Sequence, residues 1–138
     1  MQNGLKIALD VAPMRYPYSG VRTYVEALIA GYRNRDAGIE ITPLAPPYGL
    51  TRLTSRVRGL GWDFEGMADS AMDASVDVLH VTRFAAPRSS AVPLVVTVHD
   101  LIPLVLPEYR ASKGAVMQSE LAKCHVPHAN RIIVPSRH

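Results

Sequence analysis

The sequence contains one cysteine, Cys124, so it can form no internal disulfide and nothing in it points to an oxidising compartment. Cys124 reads as a small helix residue. An excess of one charge is also missing. The 15 Lys and Arg residues against 12 Asp and Glu leave a formal charge of +3, and the basic residues are scattered among acids, which argues against a nucleic-acid partner. No apolar run approaches the ~18 residues that span a bilayer. The opening stretch MQNGLKIALDVAP carries Lys6 and Asp10 where a signal peptide needs an unbroken apolar core. These absences predict a cytoplasmic protein, still able to touch a membrane surface. Both nucleotide fingerprints, G-x-G-x-x-G and G-x-x-x-x-G-K-S/T, are absent as well.

What is present suits one globular domain: 138 residues, 48% of them hydrophobic. Five short β-branched or apolar runs read as strands over 5–11, 39–44, 76–81, 93–98 and 131–135. Between the first two, Val21, Tyr24, Val25, Leu28, Ile29 and Tyr32 recur on one helical face, which predicts a helix over 20–35. Shorter helices are expected over 63–75 and 112–124, with APMRYPYS as a linker after the first strand. Residues 45–61 mix Pro, Gly and Arg without period and read as a long functional or mobile loop. Its Arg52, Arg56 and Arg58 suit a solvated face, or anionic headgroups at ~1 kcal/mol per charge. Pro103 and Pro107 are expected to hold the chain extended after the fourth strand. Ser136 stands where a cap for a further helix belongs, so the chain is expected to be part of a longer polypeptide.

Strands alternating with helices, the strands looking buried on both faces, predict an α/β fold: an open, mostly parallel, Rossmann-like sheet with helices on both faces. Ligands of such sheets sit outside the carboxyl ends of the strands. Three stretches are expected there, facing one crevice: YSGVR at 18–22, HVTRF at 80–84, and the pair His99 and Asp100. Ser19 and Gly20 open the helix, where free N–H groups and the positive dipole end attract an anion; a plain Ser cap accounts for the same letters. His99 would project from a rigid strand end, its imidazole able to donate to one sugar hydroxyl and accept from another. Asp100 either orients that ring or caps the following turn. His80 lies at the end of the third strand. Arg83 beyond it suits a phosphate or carboxylate, with Phe84 as a wall; a surface Arg over a core Phe accounts for the same letters. His125 and His128 have no carboxylate at metal-ligand spacing, so no metal site is expected.

In order, KIALDV, YSGVRTYVEAL, DVLHV, PLVVTVHDLIPLVLPE and HANRIIVPSRH resemble the N-terminal domain of retaining glycosyltransferases of the GT-B fold, the group 1 or family-four type. The resemblance covers nearly the whole chain, and TVHDLIPLVLPE and ANRIIVPS are its most specific parts. It departs where many relatives have two glycines and this chain has Ser19 and Gly20. The resemblance implies a two-domain enzyme that moves a sugar from a nucleotide-diphospho-sugar, such as a UDP- or GDP-sugar, with retention of configuration. In such enzymes the acceptor side is the N-terminal domain. A C-terminal domain of the same polypeptide, with a paired-glutamate motif, holds most of the nucleotide. On that pattern Ser19, Gly20 and Asp100 belong to the donor phosphates and sugar. His99 contacts the transferred sugar. Tyr18, Arg83 and Phe84 become candidates for a carbohydrate or lipid-linked acceptor. No cofactor beyond the substrate nucleotide is implied, and these residues alone should turn nothing over. The alternative is a non-catalytic Rossmann-like binding or interaction domain. A phosphoacceptor receiver fits poorly, since Asp10 stands alone after the first strand, His80 replaces its Asp and Pro135 its Lys.

Overall fold

The computed structural model describes residues 4–35, 38–45, 71, 74–83, 86–88, 90–109 and 113–135. Five strands, β1 (Lys6–Asp10), β2 (Glu40–Leu44), β3 (Val78–Val81), β4 (Leu94–Thr97) and β5 (Arg131–Ile133), form one sheet in the order β2-β1-β3-β4-β5. All four pairings are parallel. Parallel neighbours cannot be joined by a tight hairpin, so each connection crosses over the sheet. Helix α1 (Gly20–Arg33) links β1 to β2, while the short α2 (Ile102–Val105) and the longer α3 (Lys113–His125) lie between β4 and β5. The first crossover steps outward on one side of β1 and the last steps outward on the other side of β4. Right-handed connections therefore place α1 and α3 on opposite faces. The α/β expectation is met, with every strand within two residues of its expected bounds.

Register sorts the side chains into two faces. Ala8, Leu79 and Leu94 align across β1, β3 and β4, as do Val81 and Val96. These residues join Val76, Ala71, Ala86 and Val98 in a buried hydrophobic cluster against which Val126 and Ala129 pack. Leu79, Val81 and Val96 are fully buried, each worth about 1.5–3 kcal/mol relative to exposure. The opposite face carries Leu9, His80 and Val95 in register, with Thr97 one step further along β4. It is covered by α1, whose Val25 is fully buried. Burial on both faces holds for the three central strands; at the edge, all three residues of β5 are exposed.

Three expectations need correction. Pro103 and Pro107 do not keep the chain extended: a helical turn spans Ile102–Val105 and a 3-10 turn Pro107–Tyr109. A proline in the first turn of a helix lacks only an N–H that would have no intrahelical partner, so it starts a turn rather than forbidding one. The linker after β1 contains a 3-10 turn, Ala12–Arg15, begun by Pro13 in the same way. His80 stands at the end of β3 as expected, one residue before Val81, but it does not face a crevice: its side chain is 2% exposed under α1. The helix expected over 63–75 lies outside the described residues except at 71, 74 and 75, as does the loop of 45–61 beyond Ala45.

Candidate functional site

The carboxyl ends of β1, β3 and β4 bring Asp10, Thr82, Arg83, His99 and Asp100 to one end of the sheet, beside the N-terminal half of α1. The strand-end rule follows from the topology: parallel strands all end on the same side, so their last side chains and the helix starts share that side.

His99 is half-buried, and its Nε2 lies 2.9 Å from the backbone oxygen of Thr82. A carbonyl oxygen only accepts, so Nε2 carries the proton and donates it. The other nitrogen, Nδ1, has no partner among the described residues, and in the Nε2–H tautomer it is the accepting one. The expectation of an imidazole free to donate and accept is thereby narrowed to one accepting nitrogen. Thr82 is itself fixed, its hydroxyl donating to the Asp10 backbone oxygen at 2.8 Å. Asp10, fully buried, receives Arg83 Nε at 2.8 Å and the Ala12 N–H at 3.1 Å on its two carboxylate oxygens.

A second set lies one step down the same strands. The Thr97 hydroxyl sits 2.9 Å from His80 Nε2 and 3.0 Å from the Tyr24 hydroxyl of α1. Burial pushes the His80 pKa from 6.5 down to about 4, against a smaller upward pull from the Asp10 charge. His80 is consequently a neutral ring at neutral pH, suited to internal hydrogen bonding and screened from any ligand. Tyr24 also meets His99, ring centroids 4.9 Å apart and planes at 89°.

Asp100 Oδ1 accepts the Ile102 N–H at 2.9 Å, an Asx turn that opens α2. Ser19 caps α1, its Oγ accepting the Arg22 N–H at 3.1 Å. Gly20 is the first residue of α1 and exposed; a Cβ there would touch nothing within 4 Å. Tyr18 is fully exposed. Phe84 lies outside the described residues. His125 is half-buried and its Nδ1 donates to the Ala86 backbone oxygen at 2.8 Å, tying α3 to the loop after β3.

The expectation of one shared crevice needs correction: YSGVR and the His99–Asp100 pair line two separate hollows among the described residues, and His80, Thr82 and Arg83 line neither. One, of about 510 Å³, is lined by Tyr18, Ser19, Gly20 and Thr23 at the start of α1. The other, of about 790 Å³, has His99 and Asp100 on one wall and Leu101, Ile102, Val105 and Ile132 on the rest. They share no lining residue. Tyr24 connects their surroundings: it stands four residues after Gly20 on α1 and against His99.

Reading the sequence missed Tyr24 and Thr82 as partners of His99, and Thr97 and Asp10 as the residues that hold those partners. For Thr97 a signal was available, since residues two apart in a strand project on the same side. Asp10 ends β1 as His99 follows β4, and the same strand-end rule would have selected it. Tyr24 was counted only in the apolar stripe of α1. Comparison with protein-family models, with curated proteins and with solved structures finds no match to the chain. No helix among the described residues is long and apolar enough to cross a membrane.

Proposed function

We propose that the chain is the acceptor-side half of a retaining glycosyltransferase that takes its sugar from a nucleotide-diphospho-sugar. The observation that supports this reading is the placement of His99. It is a histidine whose Nδ1 has no partner among the described residues, held at the open end of a parallel sheet beside a helix start whose Gly20 leaves room for a close ligand. Retaining transfer develops positive charge on the sugar ring and negative charge on the leaving diphosphate together. The protein's task is to position the two and stabilise both charges. In this reading the α1 start, with its N–H groups and positive dipole end, faces the diphosphate. His99 Nδ1 accepts a hydrogen bond from a sugar hydroxyl. Tyr18, Arg83 and Phe84 remain the acceptor-side candidates, with Arg83 held by Asp10. The nucleotide itself belongs to a second domain with a paired glutamate.

A non-catalytic interaction domain is the competing reading. It is favoured by the fact that the Ser19 hydroxyl and the Asp100 carboxylate are each engaged by a local backbone N–H. The two readings separate by experiment. Titration of this chain with UDP- or GDP-sugars, followed by NMR, should give no submillimolar binding, because this reading assigns the nucleotide to a second domain. Tight binding would sink the split-site assignment. In a polypeptide that joins this chain to the proposed second domain, assayed against a panel of sugar nucleotides, His99→Ala should abolish turnover while leaving the fold intact. Unchanged turnover supports the interaction domain.

A further inference from the structure

Helix α1 bears two features at fixed separation: the Ser19 and Gly20 start, and Tyr24 one turn further on. Tyr24 reaches β4 twice. Its hydroxyl bonds to Thr97, and its ring meets His99 edge to face. Thr97 and His99 are two residues apart on one extended segment, so both project toward α1 and one tyrosine can touch both. On its far side the His99 ring is held by the Thr82 carbonyl, which belongs to the end of β3. The imidazole is thus clamped between one hydrogen bond and one aromatic contact, and its two nitrogens are made inequivalent.

We propose that Tyr24 is the positioning residue of His99: through its Thr97-anchored ring it keeps the imidazole in the Nε2–H form, with Nδ1 as the single nitrogen open to a ligand. The inference rests on reading His99 as a ligand contact, but the clamp itself exists without ligand. Its chemical consequence is selective. A neutral His99 so held accepts from a hydroxyl at Nδ1 and has no proton there for a phosphate oxygen. Such an edge-to-face contact favours one ring orientation of the imidazole over the flipped one. Tyr24 also carries the register of α1 to His99, so a shift of the helix start moves the histidine with it.

The test needs no substrate. In the chain labelled with 15N-histidine, one-bond and long-range 1H–15N spectra near pH 7.5 report which imidazole nitrogen bears the proton and how fast that proton exchanges; His99→Gln assigns the signals. The wild type should show a protected Nε2–H and a bare Nδ1 for His99. Tyr24→Leu, which removes both contacts, should lose the Nε2–H signal to exchange. Tyr24→Phe keeps the ring and gives up only the Thr97 bond, so its Nε2–H should exchange several-fold faster than in the wild type yet remain visible. A wild-type His99 with no protected Nε2–H overturns the proposal, and so does a signal unchanged in Tyr24→Leu. If Tyr24→Leu does not fold, as its amide spectrum will tell, an unchanged exchange rate in Tyr24→Phe overturns it instead. Because no sugar nucleotide is present, failure here leaves the glycosyltransferase reading to its own titration, and failure of that titration leaves the clamp standing.

Discussion

Arg83 reaches from the loop after β3 to the end of β1 and donates from Nε to Asp10 Oδ2 at 2.8 Å, pairing a partly exposed side chain with a carboxylate that has no exposure at all. The pair is asymmetric. The arginine side chain keeps 28% of its exposure, whereas Asp10 depends on Arg83 and the Ala12 N–H to balance its burial. Removing Arg83 therefore strands a buried charge.

Arg83→Met is accordingly expected to lower stability by about 2 kcal/mol, below the full cost of breaking a fully buried pair because the Arg83 side chain keeps 28% of its exposure. Urea unfolding at neutral pH measures it. A variant as stable as the parent would mean that Asp10 is adequately held by its backbone contacts alone.

His80 predicts a pH dependence of stability. Its pKa is near 4 in the folded chain and 6.5 in the unfolded one, so above 6.5 both forms are neutral and the group is indifferent. Between 6.5 and 4 the unfolded chain takes up a proton that the folded chain refuses, and stability falls by about 1.4 kcal/mol per pH unit. The accumulated loss approaches about 3 kcal/mol at pH 4. Urea midpoints compared at pH 7, 6, 5 and 4.5 should decline less steeply in His80→Gln, which can still hydrogen-bond Thr97 but does not titrate. Parallel curves for the two proteins would contradict a buried neutral His80.

Two glycines should respond in opposite ways to alanine. A Cβ on Gly4 would overlap the Gly38 carbonyl, and Gly38 has a φ of 61°, the left-handed conformation that lets the chain turn from α1 into β2. Neither backbone can yield without disturbing the start of the β1–β2 pairing, so Gly4→Ala should cost about 1–3 kcal/mol. Gly20→Ala meets open space and should leave the melting temperature within a degree or two, as a change worth only a few tenths of a kcal/mol at a helix start. Thermal melts of the two variants decide both statements. A large loss in Gly20→Ala would show that this glycine serves the fold.

Legibility of the fold tracked how local each signal was. The strands were visible because each is a short apolar run bounded by turn residues, and α1 because its apolar residues repeat with the helical period. Its start was visible because Ser19 caps within three residues of itself. The turns after His99 were misjudged because the rule that proline interrupts a helix applies to interiors, whereas here proline begins the turn. His80 and His99 could not be told apart by letters, both being histidines near strand ends. One is buried under α1 and pushed to a low pKa; the other stands two residues past β4, its Nδ1 without a partner among the described residues.

By itself, then, the sequence determined the order of the five strands with α1 and α3, the parallel α/β class and the strand ends at which the candidate side chains gather, since these depend on periodicity and on short-range capping. Only the tertiary structure decided which of those side chains touch. Tyr24 meets Thr97 across 73 residues, Arg83 meets Asp10 across 73, and His99 meets the Thr82 carbonyl across 17. Contacts of that span leave no periodic trace in the chain. They come into being only when β1, β3 and β4 pair in register and α1 packs across them.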